Sequence, residues 1–146
     1  MAKFTLDTQA KMIREYWNQM NVFFEEYAKR VGLSYSSLIV LTIIYSGQER
    51  CTQKLICEKT GLPKQTVNSI ITGFYKAGIV ELHELPEDRR NKVVVLTASG
   101  SIFATDAIQR IQKAELAAMK GLDVKQRAAM VEGVKHYKDA FQRGLE

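Results

Sequence analysis

Gln65, Asn68, Ser69, Thr72 and Lys76 share one face of a single helical segment when residues advance by about 100° each. Val67, Ile70, Ile71 and Phe74 fall on the opposite face. A face meant only for water usually carries a mixture of Glu and Lys. This one presents amides, hydroxyls and a terminal lysine, and the segment contains no Asp or Glu. An amide side chain can pair bidentately with adenine, and hydroxyls and ammonium groups bond to phosphate or base edges. The chemistry on offer is therefore recognition of a nucleic acid rather than catalysis. Lys64 and Thr66 on the same segment, and Thr52 just upstream, are further candidates of the same hydrogen-bonding kind. An ordinary helical hairpin with a polar face would carry the same residues.

A second group lies downstream. Pro86-Glu87-Asp88-Arg89-Arg90-Asn91 forms a charged loop in which a guanidinium at Arg89 or Arg90 could reach a narrow, electronegative minor groove. Asp88 is placed to pair with an arginine and limit its rotamers. A solvated charged turn is the alternative reading of this stretch alone.

The elements that must position these groups follow from the apolar spacing. A long amphipathic helix is expected from about Thr8 to Val31, with Ile13, Tyr16, Trp17, Met20, Phe23, Phe24 and Tyr27 on one side and Gly32 closing it. A buried helix follows over Tyr35–Tyr45, with Ser34 as its N-cap and Gly47 as its stop. Thr52 caps a short helix over Gln53–Thr60, and Gly61 ends it. Pro63 opens the next helix at its first position, where a missing N–H costs nothing, and Gly78 ends that one.

Ile79–Leu85 alternates as a strand, with Val80 and Leu82 opposite Glu81 and His83, and Lys92–Leu96 reads as its partner. Thr97 caps a helix over Ala98–Lys120. Asp123 and Gln126 form a capping box for a last helix reaching about Arg143, striped by Met130, Val134, Tyr137 and Phe141. The fold expected is mainly α with a small antiparallel β-hairpin wing: a winged helix-turn-helix over about 34–97, flanked by helices over about 8–31 and 98–144 in a single domain of 146 residues.

Composition agrees with this and excludes other classes. The apolar fraction of 46% and charged fraction of 25% are those of a soluble globular protein. The start of the chain lacks the pattern of a secretory signal, no run is long enough to span a bilayer, and two cysteines fit a reducing cytosol, so a cytoplasmic location without membrane contact is expected. A net charge of +5 suits an anionic partner, though it is spread along the chain.

His83 and His136 are isolated, with no ligand at metal spacing, so neither a metal nor a cofactor is expected. Cys57 reads as core filling. Cys51 stands near a helix N-terminus, which favours thiolate. The chain has no phosphate-cradling glycine loop, nucleophile elbow or paired buried carboxylates, so an enzyme is not expected. A winged-helix module used only for protein contact is the competing binding class.

Four pieces together resemble the MarR family: Gly61-Leu62-Pro63-Lys64-Gln65-Thr66-Val67, Lys76-Ala77-Gly78-Ile79-Val80, Pro86-Glu87-Asp88-Arg89-Arg90-Asn91-Lys92, and Leu96-Thr97-Ala98-Ser99-Gly100. The wing segment Asp88-Arg89-Arg90 followed by Leu96-Thr97-x-x-Gly100 is the most specific. Pro63 stands where that family often has serine or threonine, and Gly73 where a larger residue is common.

The resemblance implies a transcription regulator, a repressor acting on double-stranded DNA as a homodimer, with Asp88 positioning Arg90 for the minor groove and the helix from Pro63 in the major groove. It also implies dimerisation through the first and last helices. A small aromatic or phenolic ligand would occupy a pocket between the dimer helices and the winged domain, for which Tyr16, Trp17, Tyr35 and Tyr45 are the candidate lining. At helical spacing, those four aromatics are more often the pattern of plain core.

Overall fold

A computed structural model of the chain describes residues 4–47 and 50–146. The order of elements is α1 (Leu6–Arg30), α2 (Tyr35–Tyr45), α3 (Gln53–Thr60), α4 (Lys64–Lys76), β1 (Val80–Leu85), β2 (Asp88–Leu96), α5 (Ala98–Lys120) and α6 (Val124–Leu145). The expected fold class, mainly helical with one antiparallel hairpin, is the fold observed. The backbone forms two compact units, Met1–Ala107 and Ile108–Glu146, with α5 running from the first into the second.

In the first unit the helix boundaries follow local chemistry. α1 begins two residues earlier than its apolar spacing suggests, because the Thr5 hydroxyl accepts from the Thr8 amide at 3.2 Å and caps it. It ends in a Schellman turn. Gly32 adopts a φ of +79°, its amide donates to the Lys29 carbonyl, and the Leu33 amide donates to that of Ala28 at 2.9 Å. Ser34 caps α2 and Thr52 caps α3, each accepting an amide three residues on.

Pro63 stands one position earlier than expected. It is the N-cap of α4, extended at ψ 144°, rather than its first helical residue, and its carbonyl accepts from the Val67 amide.

The core of this unit is apolar throughout. Val40, Leu41 and Ile44 of α2 meet Ile56 of α3 and Val67, Ile71 and Phe74 of α4. The hairpin adds Val80 and Val94, and α5 adds Ala104. α2 is buried because it is apolar on most sides. α4 is amphipathic and sinks only its Val67–Ile71–Phe74 stripe, with Ile70 half-buried beside it. On α1, Ala28 is buried, Phe24 stacks on Tyr35 with ring centroids 6.0 Å apart, and the Tyr27 hydroxyl donates to the Ala107 carbonyl at 2.6 Å. The rest of the α1 stripe is not covered: Ile13, Tyr16, Trp17, Met20 and Phe23 retain 38–59% exposure.

The second unit holds the remainder of α5, a tight turn and α6. The expected capping box is present, with Asp123 accepting the Gln126 amide and the Gln126 side chain accepting that of Asp123. Arg127 donates to the Leu122 carbonyl and so caps the turn after α5. No residue of α6 is buried; Met130, Val134, Tyr137 and Phe141 lie along its surface, the last two with rings stacked at 6.0 Å.

Candidate nucleic-acid interface

α3, the turn at Gly61-Leu62-Pro63 and α4 form the helix-turn-helix. Gly61 takes a φ of +69° and its amide returns to the Cys57 carbonyl, a left-handed conformation that any side chain would strain. The Gln53 side-chain amide donates to the Lys64 carbonyl at 3.2 Å, bracing the start of α3 against the start of α4. The apolar stripe of α4 is turned into the core, and the opposite face is therefore presented outward. Lys64, Gln65, Asn68, Ser69, Thr72 and Lys76 are all exposed, and Thr66 is half-buried.

The hairpin differs from the expected loop in an instructive way. The connection is only Pro86-Glu87, and β2 starts at Asp88 rather than Lys92. Leu85 pairs with Asp88 and Glu84 pairs with Lys92, so Arg89, Arg90 and Asn91 have no counterpart on β1. They form a bulge, which turns side chains away from the ladder. The organiser is Asp88, whose carboxylate accepts the Arg90 backbone amide at 3.0 Å and the Asn91 side-chain amide at 2.8 Å. The expected Asp88–arginine side-chain pair is not what forms: the aspartate holds Arg90 by its backbone and leaves the guanidinium outward. Among the described residues neither Arg89 nor Arg90 has an ion-pair partner.

A cleft of about 500 Å³ runs between α4 and the hairpin. Lys64, Asn68 and Thr72 of α4 line it together with Arg90, Asn91 and Lys92 of the hairpin and Gln53 and Lys54 of α3. Its lining holds four cationic side chains and no carboxylate. Gln65 lies in an adjoining concavity with Gln53, Lys64 and Asn68.

Ser69, Lys76 and Arg89 are exposed but do not line the cleft. Lys76 is twelve residues beyond Lys64, about 18 Å along the axis, at the far end of α4. The Thr52 hydroxyl is committed to capping α3. Gln53, Lys54, Asn91 and Lys92 were not singled out in the sequence. Their amide and cationic types were the available signal, but only the folded hairpin brings them beside α4.

Of the four aromatics read as a possible pocket lining, Tyr35 stacks on Phe24, and Tyr16 and Trp17 are exposed on α1. Tyr45 borders a concavity of about 330 Å³ together with Ile44, Cys51, Val95 and Ser101, and Tyr16, Trp17 and Tyr35 do not line it. Cys57 packs against the core as expected, and Cys51 is buried more deeply still. Cys51 is buried in the core, and its burial pushes the thiol up, against the expected thiolate preference, with Lys59 opposing weakly. Cys57 is the half-buried one and borders the α4 cleft. His83 is exposed, its ring nitrogen 2.9 Å from Glu81. Among the described residues no helix is long and apolar enough to cross a membrane.

A helix-turn-helix followed at once by a hairpin beside its second helix defines a winged helix. Residues 31–91 match the MarR family model. The fold of a MarR family regulator from Neisseria meningitidis superposes with a TM-score of 0.77 at 23% identity, over 94% of this chain and 96% of that one. That of Staphylococcus aureus MepR in a DNA complex gives 0.77 at 16%, over 94% and 99%. Bordetella bronchiseptica BpsR, described in terms of regulation of its DNA binding by 6-hydroxynicotinic acid, gives 0.70 at 19%, over 89% and 92%. The chain is therefore similar to MarR family proteins over its winged-helix segment, residues 31–91. Among curated sequences it is 29% identical over 106 residues to the Escherichia coli HTH-type transcriptional regulator PapX; the matched stretch is 72% of this chain and spans 60% of PapX.

Proposed function

We propose that this chain is a sequence-specific, DNA-binding transcription regulator that acts as a homodimer on a pseudo-palindromic operator, as a repressor. The observation that carries the reading is the carboxylate-free cleft in which Lys64, Asn68 and Thr72 of α4 face Arg90 and Lys92 of the hairpin. Cations there neutralise phosphate, and the amide and hydroxyl groups of α4 are free to meet base edges in a major groove. The outward Arg90 is suited to the adjacent minor groove. The match of residues 31–91 to the MarR family model supports the same partner.

Dimerisation is supported by two apolar faces, on α1 and on α6, each exposed in its own unit. A second copy covering them brings two α4 helices onto one side of a duplex, roughly 34 Å apart or a multiple of it. The proposal includes response to a small aromatic or phenolic ligand, which regulation of BpsR by 6-hydroxynicotinic acid supports by analogy. The test is selection of bound sequences from a random duplex pool. An inverted repeat is expected; failure to retain any duplex at low ionic strength overturns the reading.

A further inference from the structure

A two-stranded hairpin is marginal by itself, and this one supplies Arg90, Asn91 and Lys92 to the cleft. Three consecutive residues hold it. The Cys51 carbonyl accepts the Val94 amide at 2.7 Å, Thr52 forms an isolated bridge to Val93, and the Arg50 guanidinium pairs with the Glu87 carboxylate in the turn. The first two grip the hairpin at Val93-Val94, and the third grips its tip.

Both acids at the tip of the wing are occupied, Asp88 within the bulge and Glu87 by Arg50. The carboxyl of Glu87 is held below the usual range, by its own backbone amide first and by Arg50 second. The next residues continue the connection: Thr52 caps α3, and Gln53 holds the Lys64 carbonyl. Residues 50–53 thus run without interruption from the wing tip to the first residue of α4.

We propose that Arg50 and Glu87 form a strap that sets the wing turn, and with it Arg90, at a fixed distance from α4, making both of them positioning residues for the nucleic-acid cleft. The proposal rests on the DNA-binding reading. An exposed ion pair adds little to stability, so the effect of the strap is orientational. A tip already held in place loses less freedom when Arg90 enters a groove.

The sign of one substitution separates this from simple electrostatics. Glu87→Ala removes a negative charge near a polyanion, which on charge alone tightens binding. The strap predicts weakening instead, of about two- to fivefold.

The experiment is fluorescence anisotropy at fixed salt on a duplex the wild type selects, with Glu87→Ala, Arg50→Glu and the double variant Arg50→Glu/Glu87→Arg. The expected result is weaker binding by Glu87→Ala with unchanged melting, still weaker binding by Arg50→Glu, and recovery of most of the loss in the reversed pair. Amide exchange at Arg90 is expected to quicken in Glu87→Ala, with or without DNA. Binding by Glu87→Ala as tight as wild type or tighter, a reversed pair no better than the sum of its single changes, or unaltered Arg90 exchange overturns the strap while the DNA reading stands. A wild type that binds no duplex removes that reading and this role together.

Discussion

A Cβ on Gly100 would lie 1.9 Å from the carbonyl oxygen of Ile79. That carbonyl also accepts the Thr97 amide at 3.0 Å, and the Thr97 hydroxyl caps the Gly100 amide at 2.9 Å. The Leu96-Thr97-x-x-Gly100 motif is therefore a structural joint: it brings the start of α5 against the residue that precedes β1, and so fixes the root of the wing.

Gly100→Ala is expected to destabilise by about 3 kcal/mol, since the obstructing atoms are backbone and cannot rotate aside. That corresponds to a melting temperature lower by roughly 10 °C. Gly73→Ala supplies the contrast. Gly73 is helical with open space around it, so alanine there should stabilise by about 1 kcal/mol. Equal effects in thermal melts would remove this account of the joint.

Arg90→Ala should leave folding unchanged, because the side chain is exposed and without an ion-pair partner among the described residues. Binding to a selected duplex should weaken by about 1–3 kcal/mol, and the salt slope should fall by about one unit. Asn68→Ala should act differently, relaxing base preference at one position of the half-site. A uniform loss across sequences would mark Asn68 as a phosphate contact.

Trp17→Asp places a charge in the middle of the exposed α1 stripe. Sizing with light scattering should report monomers of 16.6 kDa where the wild type runs as a dimer. A variant that stays dimeric would move the interface off α1.

Cys51 supplies a pH dependence. Its thiol is raised above the ordinary value of 9.0 by burial, so the folded state favours the neutral form. The stabilisation is fully present below about pH 9 and is lost as pH rises through the higher folded value. Denaturant titrations above pH 9 should therefore show a steeper loss of stability for wild type than for Cys51→Ala. Parallel curves would mean that the thiol ionises alike in folded and unfolded chains.

Much of this was legible in the residues themselves, wherever the determinant is local. Ser34, Thr52 and Asp123 cap helices through amides three residues away, and Gly61 permits a backbone turn that no distant contact has to impose. Amphipathic spacing dictated which face of α4 would be buried, because burial of Val67, Ile71 and Phe74 leaves Asn68 and Thr72 nowhere to point but outward.

What required the tertiary structure was every relation that spans elements. The wing arginines sit in a bulge rather than in a loop because strand register is a property of two strands. Cys51 is buried despite standing near a helix N-terminus, because depth of burial depends on what packs over a residue, not on its neighbours in sequence. Gln53, Lys54 and Lys92 join Lys64 and Arg90 only when the hairpin folds beside α4, and Arg50 meets Glu87 across 37 residues of chain. Local hydrogen bonds and periodicity act over a few residues and are written in order along the chain. Convergence of side chains on a cleft is decided by packing, which alone brings distant positions within reach of one another.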